Sequence, residues 1–119
     1  MPTTVISVDE AGHHRTYEIP DTSGPTEVNR TVARALLGPC RVVDRIPHPT
    51  GTVAIIARSP LNRGEYSNFV ADMACRELGH DPDPRTLVGP IVFAGLDTDT
   101  ETLQGLHPDV IAAITAATL

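Results

Sequence analysis

The chain has 119 residues, 40% of them hydrophobic, and nine basic against fifteen acidic side chains give a net charge of −6. That is the size of one domain with one core, and its longest apolar runs, four or five residues, are too short for a membrane span or a signal-peptide core. The acidic balance argues against a general nucleic-acid binder, and two cysteines make no disulfide framework.

Thr3–Val8 is rich in β-branched residues and predicts a strand, and His14–Ile19 alternates as a second. The turn Asp9-Glu10-Ala11-Gly12 between them makes a hairpin. Pro20 to Pro25 has loop chemistry. From Pro25 to Leu37 the spacing predicts a helix, with Val28, Val32, Ala35 and Leu36 on one face and Gly38-Pro39 as its stop. Cys40–Ile46 and Thr52–Arg58 are two further strands. Their connection is too short for a parallel crossover, so they pair antiparallel. Ala54 to Ala57 is apolar throughout, as in a strand buried on both faces.

A second helix runs from Glu65 or Ser67 to Leu78 and is closed by Gly79; Tyr66, Phe69, Val70, Met73 and Ala74 are its expected core stripe. Counting 100° per residue places Glu77 in that stripe. Either the last turn lets its carboxylate reach water, or an Arg or a cleft holds it inward. His80 to Arg85 is a stiff loop, Val88–Gly95 a last buried strand, and Pro108 to about Thr118 a short terminal helix. The order predicts a single α+β domain over residues 1–119. Its architecture is a mainly antiparallel sheet of about five strands, with two helices on one face and the short C-terminal helix.

The whole net charge lies in the second half, and no Arg follows Arg85 while Asp97, Asp99, Glu101 and Asp109 do. A solvated acidic edge explains this without a ligand; a docking face for a basic partner is the sharper reading. Every basic side chain is Arg, a bias expected of a G+C-rich coding genome such as that of an actinobacterium or one of its phages. The four aromatics, Tyr17, Tyr66, Phe69 and Phe93, are too few to form a stacking platform for single strands.

The spacing of Cys and His fits no zinc ribbon, finger or H-E-x-x-H helix. Cys40 and Cys75 read as small core residues. Asp97-Thr98-Asp99-Thr100-Glu101 lacks the glycine and distant glutamate of a calcium loop, so it reads as an acidic turn. Neither nucleophile nor phosphate-binding motifs are present. No metal, cofactor or catalytic residue is therefore expected.

The candidate ligand site is Arg58, Asn62, Arg63, Asn68 and Asp72, two cations and two amides around a loop that feeds the N-terminus of the second helix. Such a place attracts anions. The competing explanation makes Asn62 or Asn68 a helix cap and leaves the arginines solvated.

From Ala57 to Gly95 the chain resembles a bacterial and phage family known as domain-of-unknown-function family 3846. The likeness lies in a strand, a loop, a helix opening with Asn68-Phe69-Val70-Ala71, and the closing strand Gly89-Pro90-Ile91-Val92-Phe93-Ala94-Gly95. Arg58-Ser59-Pro60 departs from it, where an acidic or amide turn belongs. The resemblance implies a small accessory protein of a phage or other mobile element, and it supplies no catalytic residues. The expectation is a non-enzymatic, cytoplasmic module that binds a host protein or itself, without contact to nucleic acid or membrane. The alternative is a protein that binds or sequesters a small ligand, a nucleotide or other anion, at the helix-entry loop.

Overall fold

The computed structural model describes residues 3–9, 11–19, 40–58, 67–99 and 102–118. The expected helix over 25–37, and Asn62 and Arg63 of the candidate site, lie outside them.

Strands β1 (Thr3–Val8) and β2 (His14–Ile19) form the first hairpin, in register from Thr3–Ile19 to Val8–His14. Asp9 shapes its turn, its Oδ1 accepting from the amides of Ala11 at 3.0 Å and His13 at 2.9 Å. Strands β3 (Cys40–Ile46) and β4 (Thr52–Arg58) form the second hairpin, with a register shift between Val42 and Asp44. Strand β5 (Ile91–Asp97) enters between the two hairpins and pairs antiparallel with β1 and β4. The sheet order is β2-β1-β5-β4-β3. A short strand β6 (Thr102–Gln104) pairs with the end of β5 beyond its contact with β1.

This is the expected antiparallel α+β architecture, with one strand more than the sequence indicates. Two boundaries shift for stated reasons. Gly89 has φ +73° and breaks the extended chain before Pro90, so the last long strand starts at Ile91. Val88 forms an isolated bridge to Ser67 instead. β6 has only three residues, too short for periodicity to register.

Helix α1 (Phe69–Glu77) and helix α2 (Pro108–Ala117) pack against each other and on one face of the sheet. Asn68 caps α1, and Gly79, at φ +78°, ends it in the left-handed region that glycine adopts without strain. His107 caps α2 through its Nδ1, which accepts from the Asp109 amide at 3.1 Å, and Pro108 opens the first turn. Under these helices Ile6, Val8, Val53, Ile55, Ile91 and Phe93 form the main core. The other face carries Val5, Ala54, Ile56, Val92, Ala94 and Leu96, all buried. β4 and β5 are thus apolar on both faces, as Ala54 to Ala57 required.

The inward stripe of α1 is the expected one only in part: Ala74 is buried in the core and Val70 packs against it, but Phe69 and Met73 turn outward. Ala71, Ala74, Cys75 and Leu78 face the sheet, whereas Phe69 is 75% and Met73 52% exposed. Small residues on the inner face let the helix axis approach the closely packed sheet, and the bulky pair turns outward. Glu77 shares that outer side and is exposed, so its carboxylate reaches water.

Candidate functional site

Helix α1 begins where its preceding residue is fully committed. The side-chain Oδ1 of Asn68 accepts from the Ala71 amide at 3.0 Å, and its Nδ2 donates to the carbonyls of Val8 and Gly89, each at 2.9 Å. Its backbone amide donates to the Leu87 carbonyl at 2.7 Å. At 1% exposure, Asn68 spends both ends of its amide on the fold. It is the cap of the competing explanation, joined to a brace between β1 and the segment before β5.

One turn later Asp72 behaves differently. Its Oδ2 receives the Arg76 guanidinium at 3.2 Å, while Oδ1 is buried without a hydrogen-bond partner. An unsatisfied buried carboxylate oxygen costs stability, which marks a place where a donor would be welcome. Ser67, Asn68, Phe69, Asp72 and Leu87 line a shallow cleft of about 60 Å³ there. The structure thus brings Asn68 and Asp72 together.

Arg58 does not join them among the residues lining that cleft. It ends β4 opposite Cys40. By strand alternation it falls on the face of Ala54 and Ile56, whereas Ala57 points toward α1. The sequence cluster placed Arg58 beside the helix entry because it is near in the chain; the two-residue period of the strand sends it to the other side.

The remaining charges near α1 are locally satisfied. Arg76 also lies 3.3 Å from Asp81, and Arg85 meets Asp83 at 2.9 Å, which holds the Asp83 carboxyl below the usual carboxylate range. His80 Nε2 sits 2.8 Å from Asp44 Oδ2, both half-buried. Burial pushes the Cys75 thiol up to about 12, with the charges of Asp44 and Asp72 adding to the effect, so it is no thiolate nucleophile. Among the described residues no group of three or more His, Cys, Asp or Glu is placed to hold a metal ion. The Asp97–Asp99 segment is a turn in which Asp97 Oδ1 accepts from the Asp99 amide at 3.0 Å.

Sequence reasoning missed the outward-facing pair Phe69 and Met73. Helical spacing puts both in the core stripe with Ala74, whereas the small residues at 71, 74 and 75 mark the inner face. It also missed a cavity of about 200 Å³ against the first hairpin, bordered by Ser7, Asp9, His13, Arg15, Tyr17 and Pro90. Ser7 alternates with the apolar Ile6 and Val8 on β1, while Arg15 and Tyr17 alternate with His14 and Thr16 on β2, a pattern ordinary for an edge hairpin. No protein-family model, curated protein or solved structure matches the chain.

Proposed function

We propose that the protein is a non-enzymatic accessory module that works in the cytoplasm by binding another protein through the outer face of α1. The observation that carries this reading is the pair Phe69 and Met73, one helical turn apart and both more than half exposed. Large apolar side chains held rigidly on a helix are what a protein interface desolvates. A partner that sets apolar side chains over Phe69 and Met73 would desolvate that face. Among the described residues no helix is long and apolar enough to cross a membrane. A host protein as that partner and a phage or mobile element as the setting are part of this proposal and rest on the sequence resemblance of residues 57–95 alone, which no family model matches.

The test compares the wild-type chain with a Phe69→Ser/Met73→Ser double variant in retrieval from the natural host, with sedimentation to follow self-association. Both positions are solvent-facing, so circular dichroism should show the variant folded. The reading expects a retained protein, or a dimer, that the double variant loses. Equal retention by the folded variant would overturn it.

A further inference from the structure

Antiparallel pairing places the side chains of Ser7 and Arg15 directly opposite each other, and those of Val5 and Tyr17 one step along. Asp9 and His13 face each other at the turn, where the Asp9 amide donates to the His13 carbonyl at 2.9 Å. All of these project on one side of the hairpin, because residues two apart on a strand share a face. Ser7 also pairs with Val92 of β5, whose buried side chain lies on that same face. The cavity is lined by hydroxyl, carboxylate, imidazole and guanidinium groups, with Val8, the Tyr17 ring and Pro90 as its apolar part.

Two of the lining groups carry opposite charge and keep bonding capacity. The Arg15 side chain makes no ion pair or hydrogen bond among the described residues, unlike those of Arg76 and Arg85. Asp9 gives Oδ1 to the turn amides, but its Oδ2 has only His13 Nδ1 at 3.6 Å, too long for a hydrogen bond. The two residues are diagonal neighbours across the hairpin, a Cα separation of about 7–8 Å in such pairs. A flexible Arg side chain can close on a ligand group a few ångströms from one bound at Asp9.

We propose that this hairpin cavity binds a small zwitterion of the free amino-acid type, its carboxylate on Arg15 and its ammonium on Asp9 Oδ2. Guanidinium recognises carboxylate through paired N–H donors. The Ser7 and Tyr17 hydroxyls are placed to donate to the same carboxylate, and the Tyr17 ring and Pro90 to flank the ligand's carbon chain. A phosphate dianion would meet the Asp9 charge, and a simple carboxylate would leave Asp9 unanswered. The volume of about 200 Å³ is below the range of about 300–1,000 Å³ for pockets that hold drug-sized ligands, which favours a small metabolite over a nucleotide. This cavity lies on the sheet face opposite α1 and is distinct from the expected anion site at the helix entry.

The experiment is a titration of the isotope-labelled 119-residue chain followed by amide NMR, with glycine, L-serine and L-glutamine as probes and with acetate and inorganic phosphate as controls. An amino acid should shift the amides of Ser7, Asp9, His13, Arg15 and Tyr17 saturably, at concentrations up to about 10 mM, the weak end of specific binding. Arg15→Ala should weaken that response by about tenfold or more, the scale of one charge-assisted pair. Asp9→Asn keeps the acceptor the turn needs, so it should weaken the amino acid and leave any acetate response unchanged. Tyr17→Phe, which removes only the hydroxyl, should weaken binding severalfold. The absence of a saturable shift with every amino acid, or phosphate or acetate binding as tightly, would overturn the proposal. So would folded Arg15→Ala and Tyr17→Phe variants that bind like the wild type.

Discussion

His80 and Asp44 meet at 2.8 Å although thirty-six positions separate them in the chain. The contact ties the loop that follows α1 to the bulged part of β3, where the register shifts between Val42 and Asp44. The bulge brings the Asp44 side chain to the helix-covered face, since Asp44 is opposite Ile55 of the main core. In a double-mutant cycle with His80→Ala and Asp44→Ala, the coupling should be about 0.5–1.5 kcal/mol, as for a half-buried hydrogen bond. A coupling of zero by chemical denaturation would show that the two side chains contribute independently.

Asn68 separates two roles that an ordinary helix cap combines. At most N-caps Asp replaces Asn without loss, because only an acceptor is needed. Here Nδ2 also donates to two carbonyls, and a carboxylate would set a second oxygen against them. Asn68→Asp should therefore destabilise by about 2–4 kcal/mol, close to Asn68→Ala. Urea unfolding of both variants checks this, and an Asp variant as stable as the wild type would contradict the bracing role.

Gly95 lies where the chain leaving β6 turns over the sheet toward α2. A methyl group there would run into the Gly105 carbonyl and the Gln104 side chain. Neither the strand nor the backbone at Gly105 can withdraw cheaply, because Leu106 is buried and its amide donates to the Thr4 carbonyl at 2.9 Å. Gly95→Ala should cost about 1–3 kcal/mol, the range for overpacking. Its thermal midpoint should fall accordingly, and an unchanged midpoint would mean the crossing shifts freely.

Cys75 makes stability depend on alkaline pH. Its native thiol is pushed up to about 12 from an ordinary 9.0, so the folded state keeps its proton after the unfolded chain has released its own. The stabilisation is complete below about pH 9 and is lost as pH rises toward 12, with a slope of at most about 1.4 kcal/mol per unit. Unfolding measured from pH 8 to 11 should show a steeper decline for the wild type than for Cys75→Ala. Equal slopes in the two proteins would remove the thiol as the cause.

The strands were legible because alternation and β-branched composition describe a local property. Val5, Ile6 and Val8, or Ile55 and Ile56, state their burial without reference to anything distant. Helix α2 was equally plain from Pro108 and the apolar run behind it. The facing of α1 was not legible, because its sequence offers two apolar stripes. Phe69 and Met73 continue one of them outward, whereas Ala71, Ala74, Cys75 and Leu78, flanked by Val70, form the one that fits. Only the sheet beneath decides between volume and closeness of approach. Of the candidate site, Asn68 and Asp72 could be placed together from helical spacing. Arg58 could not, since one further residue of strand reverses its direction. The hairpin cavity depends on Pro90 meeting β1 from a remote part of the chain, a contact no local pattern records.

The position of β5 between the two hairpins also bears on the order in which the fold closes. Each hairpin joins neighbours in sequence and can form through short loops, but the inner edges of β1 and β4 stay unpaired until residues 91–97 arrive. Those edges are long and apolar on both faces, the kind that pairs with foreign strands when left open. During synthesis from the N-terminus they wait while the whole of α1 and its following loop are made. Registering β5 against both at once is a non-local step with a large entropic barrier. Nascent chains stopped before residue 91 would expose two sticky edges, so the interval before β5 emerges is when this protein most needs a chaperone.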